Sequence, residues 1–183
     1  MTNYKILPQS ALIPASDYVI VGGTGDLALR KIFPALLLRY AAGQVTDDFR
    51  FYVVSRQKIN AKTFRSKLVP HCQLELDRMN NGDLLLDRFM ALINYVGVDI
   101  TADGGMDVLA SDLLTRAEAS RPIIFYLSIA SSLFKAACLR INESGLTLPQ
   151  SRLVVEKPIG HDRASAEEIN DELRKVFKEN QIY

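Results

Sequence analysis

Between the apolar run Tyr18-Val19-Ile20-Val21 and a helical pattern beginning at Asp26 stands the segment Gly22-Gly23-Thr24-Gly25-Asp26-Leu27-Ala28. Its small residues are spaced Gly22-x-x-Gly25-x-x-Ala28. Gly22 permits a tight turn. Gly25 lets the backbone approach an anion with no Cβ between them. Ala28 lets the following helix pack close to the strand. The first turn of that helix presents unpaired N–H groups and the positive end of its dipole, so the chemistry on offer is pyrophosphate binding. A glycine turn also serves as a plain structural turn in other α/β folds. Its place after a strand and before a helix favours a dinucleotide.

A second position bears on which dinucleotide. Folds of this kind that take NAD put an acidic residue after their second strand, where it accepts from the adenosine ribose 2′-OH. Here that place reads Ser55-Arg56-Gln57, with no Asp or Glu between Phe49 and Asn60. A guanidinium at Arg56 suits a 2′-phosphate, which it can hold by charge-assisted, even bidentate, hydrogen bonds. The Thr24 hydroxyl can donate to the same group. The reading is NADP over NAD, against the alternative of a solvated arginine at a strand end. A third position is Lys157 in Glu156-Lys157-Pro158, at the carboxyl end of a further apolar run. A lysine there is a donor for a sugar hydroxyl, a phosphate or the nicotinamide ribose. A Lys-Pro pair also ends strands where no site exists.

Other chemistries find less support. Cys72 and Cys138 lie far apart, no CxxC or Cys/His cluster occurs, and His71 and His161 have no ligand-spaced partner. Neither a disulfide framework nor a metal site is expected, and the two thiols read as buried and reduced. Lys plus Arg is 22 and Asp plus Glu 21. The net charge of +1 gives no field for nucleic acid or an anionic membrane. Apolar runs such as Ile123–Tyr126 are far short of the ~20 residues that span a bilayer, and the first eighteen residues have no long apolar stretch of a secretory signal. A cytoplasmic protein is expected. The 48% apolar and 23% charged residues are ordinary for one globular domain of 183 residues.

The elements that must position these residues follow from periodicity. Residues 1–16 carry Pro8 and Pro14 and no sustained pattern, and are read as a flexible arm; residues 17–183 form the domain. Strands are expected at 18–21, 49–55, 95–100, 122–129 and 152–156. Helices are expected at 26–40, bent or interrupted by Pro34, and at 61–70, 82–94, 106–120 and 131–144. Ser165-Ala166-Glu167-Glu168 has capping-box spacing and opens a last helix reaching about Asn180. Strands alternating with helices make βαβ units, so the fold class is α/β: a doubly wound, mainly parallel, Rossmann-like sheet. Gln181-Ile182-Tyr183 resembles the first residues of another strand, which we read as the mark of a truncated chain.

Together these segments resemble the glucose-6-phosphate dehydrogenase family. The resemblance rests on GGTGDLALRKIFPALLLRYAAGQV, YVVSRQ, FYLSIA at Phe125–Ala130 and RLVVEKPIGHDRASAEEINDEL at Arg152–Leu173, in order, from about residue 17 to 183. It implies an enzyme that oxidises the C1 hydroxyl of glucose 6-phosphate to a lactone while NADP takes the hydride, the entry step of the oxidative pentose phosphate pathway. By matching position it implies that Gly22, Gly23, Thr24, Gly25, Asp26, Leu27 and Ala28 form the coenzyme loop and that Arg56 meets the 2′-phosphate. Asp99 and Ile100 line the adenine side, Lys157 lies between coenzyme and substrate, and Lys31 faces the sugar. The family usually has Lys where this chain has Leu29, and often Pro where it has Ser131. It also implies a second, α+β domain beyond Tyr183 that carries the general-base histidine and most of a homo-oligomer interface. The 183-residue chain alone is therefore expected to be inactive. The alternative is a stand-alone, non-catalytic nucleotide-binding or regulatory module. A Tyr-x-x-x-Lys oxidoreductase is disfavoured, because Tyr126 and Lys135 are wrongly spaced.

Overall fold

The computed structural model describes residues 13–115, 121–156, 160 and 162–183. Among these residues five strands form one sheet: β1 (Asp17–Val21), β2 (Arg50–Ser55), β3 (Ile93–Gly97), β4 (Ile123–Leu127) and β5 (Ser151–Val155). Their order is β3-β2-β1-β4-β5 and every pairing is parallel. This is the Rossmann-like arrangement expected, with β1 between β2 and β4. The chain leaves β1 toward one side of the sheet and returns through β4 on the other. The crevice at the carboxyl ends of β1 and β4 is therefore the switch point at which open α/β sheets take ligands.

Helices cover both faces. α1 (Phe33–Ala41), α2 (Ala61–Leu68), α3 (Gln73–Asp77) and α4 (Gly82–Ala91) close one core around Ile20, Phe51, Val53, Phe64 and Phe89. α5 (Asp107–Thr115), α6 (Phe134–Glu143) and α7 (Arg163–Arg174) close the other around Val21, Val54, Leu109, Phe125, Ile141 and Phe177. Each core holds one free, buried cysteine, Cys72 in the first and Cys138 in the second. Burial pushes the Cys72 thiol up to about 11, with the Glu75 charge adding to it, and the Cys138 thiol up to about 12. At the amino ends of the strands, the buried Asp17 accepts from Arg50 Nε and Nη2, both at 2.5 Å, and from Arg121 Nε at 2.8 Å. One carboxylate thus ties β1 to β2 and to the entry of β4.

Several boundaries differ from expectation. Pro34, expected to bend or interrupt its helix, stands in the first turn of α1, and the α pattern is interrupted just before it. The turn before it widens into a π-turn at Ala28–Ile32, where the Phe33 N–H bonds the Ala28 carbonyl. Proline has no N–H and its ring crowds the carbonyl four residues back, and the wider turn accommodates both. The helix expected over 82–94 ends at Ala91, and β3 begins at Ile93 rather than at 95, in register with Phe51. The cap of α7 lies three residues earlier than expected. Asp162 Oδ1 accepts the Ser165 N–H at 2.8 Å and Ser165 Oγ accepts the Asp162 N–H at 3.0 Å. α7 also stops at Arg174, and a 3₁₀ turn at Glu179–Gln181 follows. Beyond it the expected strand start is present: Ile182 pairs in parallel with Leu153, and the Tyr183 N–H bonds the Leu153 carbonyl at 2.8 Å. Of the arm expected at 1–16, residues 1–12 lie outside the described residues. Ile13 donates its N–H to Gln44, and Ser16 is buried.

Candidate functional site

The glycine turn leaves β1 in the shape its residue types allow. Gly22 has φ +82°, and both its amide and that of Gly23 bond the Val54 carbonyl, at 2.9 and 3.0 Å. The Gly25 amide closes the turn onto Gly22 O at 2.8 Å. A Cβ on Gly22 would stand 2.3 Å from the Ser128 carbonyl, so the turn can lie against the end of β4 only as glycine. Gly23 faces inward, where a Cβ would meet Ile20 O at 2.9 Å. Ala28 is buried beneath the turn. Leu27 is half-buried against the first core. Asp26 is exposed at the helix start and pairs with Arg30 at 2.5 Å. Among the described residues no acceptor takes the Thr24 amide, and the N–H groups of the first helical turn follow it.

Above this turn opens a cleft of ≈ 550 Å³. Gly22, Thr24, Gly25, Arg56, Asp99 and Ile100 all line it, so six residues singled out in the sequence come together from three separate segments. Arg56, just past β2, is exposed and makes no ion pair among the described residues. Asp99 faces it from the loop after β3. The hydroxyl and the amide of Thr101 hold the Asp99 carboxyl below its ordinary value, and the Arg56 charge adds to this. Lys31 is exposed on the π-turn and does not line the cleft. Lys157 lies outside the described residues, as does His161.

A fourth segment, one the sequence does not mark as part of a site, also lines the cleft. It brings Ser128, Ile129, Ala130 and Leu133, after β4, to the lining, which Val54, Ser55, Gln57 and Thr101 share. The Ser128 hydroxyl is enclosed and has no hydrogen-bond partner among the described residues. The strand expected over 122–129 takes in Ser128 and Ile129, whereas β4 ends at Leu127 and leaves them to the cleft. Their position beside Gly22 follows from β4 pairing with β1, a contact across a hundred residues of chain. The cradle fits a dinucleotide. Its Cβ-free floor at Gly22 and Gly25 and its unmatched Thr24 amide provide for a pyrophosphate, and Arg56 for a further anionic group. Among the described residues no group of three or more His, Cys, Asp or Glu side chains could hold a metal ion, and no helix is long and apolar enough to cross a membrane.

A parallel sheet in the order β3-β2-β1-β4-β5, with a glycine turn opening a helix at its switch point, defines a Rossmann-like dinucleotide-binding domain. Residues 19–183 match the family model described as glucose-6-phosphate dehydrogenase, NAD binding domain, and the chain belongs to that family. It is 36% identical over 171 residues to the glucose-6-phosphate 1-dehydrogenase of Gluconobacter oxydans, covering 91% of this chain and 34% of that protein. It is 38% identical over 172 residues to the enzyme of Zymomonas mobilis, covering 92% and 34%. A glucose-6-phosphate dehydrogenase solved in complex with its substrate glucose-6-phosphate superposes with a TM-score of 0.84 at 26% identity, over 94% of this chain and 36% of that one. The chain thus spans about a third of the length of the relatives it matches. The coenzyme class that this membership supports is a nicotinamide dinucleotide.

Proposed function

We propose that this chain is the coenzyme-binding part of an enzyme that oxidises the C1 hydroxyl of glucose 6-phosphate to a lactone, and that its coenzyme is NADP. The observation that carries the choice of NADP is Arg56. An exposed guanidinium with no ion-pair partner among the described residues stands where an NAD-selective fold places a carboxylate, in the same cleft as the glycine turn. In this reading the amides of Thr24, Asp26 and Leu27 hold the pyrophosphate, with Gly22, Gly23, Gly25 and Ala28 shaping the turn that aims them. Arg56, helped by the Thr24 hydroxyl, holds the 2′-phosphate. Asp99 and Ile100 flank the adenine. Lys157 stands between coenzyme and sugar, and Lys31 faces the sugar. NADP, when bound, supplies the hydride acceptor. Family membership supports the further reading of a homo-oligomeric cytoplasmic enzyme of the oxidative pentose phosphate pathway.

Calorimetric titration of the chain is expected to show NADP binding more tightly than NAD. Arg56→Ala should remove ~1.5–3 kcal/mol of that advantage, the worth of hydrogen bonds to a charged group. An unchanged NADP-to-NAD ratio in the variant would remove the 2′-phosphate role.

The reaction also needs a base for the C1 hydroxyl proton. His71 lies in the 3₁₀ turn Val69–His71 between α2 and α3 and does not line the cleft. The family resemblance places its base beyond Tyr183 rather than at His161. The purified 183-residue chain is therefore expected to form no NADPH from glucose 6-phosphate. Turnover that persists in a preparation shown by mass to contain no longer species would overturn this.

A further inference from the structure

The carboxylate missing after β2 is present in the cleft on another segment. Ser55 pairs with Gly97 at the ends of β2 and β3, and the Val98 N–H bonds the Ser55 carbonyl at 2.9 Å. Arg56 and Asp99, the residues just beyond, therefore leave two neighbouring strands side by side and line the same cleft. The Asp99 carboxylate is fixed from one end only. Its Oδ1 accepts the Thr101 N–H at 2.9 Å and the Thr101 hydroxyl at 2.7 Å. Among the described residues Oδ2 has no hydrogen-bond or ion-pair partner. The loop behind it is closed on itself. The Ala102 N–H bonds the Asp99 carbonyl at 3.1 Å, and a Cβ on Gly105 would stand 2.2 Å from that same oxygen. The charge is held in place rather than swinging on a loose loop.

We propose that Asp99 is a specificity-determining residue of this cleft: a fixed negative charge beside Arg56 that weakens the hold on a 2′-phosphorylated dinucleotide and leaves the unphosphorylated one acceptable. This rests on the coenzyme reading above. A 2′-phosphate drawn to Arg56 brings up to two negative charges toward Asp99, so attraction and repulsion are paid on the same group. NAD has no phosphate there and meets no such repulsion. Oδ2, without a partner among the described residues, can instead accept from its ribose 2′-OH, the task that falls to an acidic residue after the second strand in NAD-selective folds. The site then discriminates by the difference between two opposed charges, and one substitution shifts that difference in a known direction.

The test is titration of the chain and of Asp99→Asn with NADP and with NAD, at low and at raised ionic strength. Asparagine keeps an oxygen for the Thr101 turn and removes the charge. NADP is expected to tighten about fivefold, the effect of one partly screened charge pair. NAD is expected to stay unchanged or weaken, and the NADP gain should shrink as salt is raised. If both coenzymes shift by the same factor, Asp99 only braces the loop and the proposal fails. If neither shifts, it fails as well. Wild-type chain that binds neither coenzyme would overturn the coenzyme reading itself, a different result from a silent Asp99→Asn.

Discussion

At Gly22 two separate requirements fall on one atom that is absent. The backbone is left-handed, at φ +82°, and a Cβ would stand 2.3 Å from the Ser128 carbonyl. Gly43 shares the first requirement, at φ +71°, but among the described residues nothing would lie within 4 Å of its Cβ. The two substitutions to alanine separate backbone strain from site geometry. Gly43→Ala is expected to cost ~1–2 kcal/mol from conformation alone and to leave coenzyme affinity unchanged. Gly22→Ala should cost more, because the end of β4 must move, and should weaken coenzyme binding as well. Thermal unfolding with and without NADP reads both. Equal losses of stability and affinity in the two variants would show that the cleft does not depend on close contact between the turn and β4. This contrast also explains what was legible. Gly22, Gly25 and Arg56 announce themselves by type and by distance from a strand end, and Asp99 and Ile100 entered only through family resemblance. Ser128, Ile129, Ala130 and Leu133 belong to the cleft because of a strand pairing that no local pattern encodes.

Elements with a single possible period lie where the sequence pattern puts them. β1, β2 and β4 are runs of Val, Ile, Phe and Tyr too short for helices, and their observed limits lie within two residues of those expected at either end. β3 departs from its expected range because Leu92 and Ile93 fit a helical face and a strand equally. The tie is broken by tertiary pairing, where the Phe51 N–H takes the Leu92 carbonyl at 2.9 Å and Ile93 enters register with Phe51. α3 is five residues long, too short to show a period. At α7 two capping spacings competed, and Asp162 with Ser165 prevailed over Ser165 with Glu168. An aspartate at the N-cap places its charge at the positive end of the helix. The Asp17 clamp was invisible for a different reason. Its arginines are 33 and 104 residues away, and they meet it because β2, β1 and β4 begin at the same edge of the sheet.

At the scale of the whole molecule, one sheet is shared by two cores, and the cleft is lined from both halves of it. β1, β2 and β3 lead into its Gly22, Arg56 and Asp99 side, and β4 leads into its Ser128–Leu133 side. A ligand there bridges segments whose helices pack on opposite faces, so it should stabilise both layers as one unit. The two cysteines report on this separately, since Cys72 lies among α1–α4 and Cys138 among α5–α7. Both are buried with raised thiol pKa values, which makes them doubly unreactive while the fold is closed. Labelling with a thiol reagent under native conditions is therefore expected to be slow. Intact mass should show unlabelled and doubly labelled chains with little singly labelled species, because exposure of either thiol requires the shared sheet to open. NADP at a hundred times its dissociation constant adds ~2.7 kcal/mol to the folded state. Where labelling follows the open population, both thiols should then react about a hundredfold more slowly, and by the same factor. Accumulation of chain labelled at Cys72 alone, with Cys138 still protected, would show that the α1–α4 layer opens by itself. The coenzyme would then stabilise a half rather than the whole.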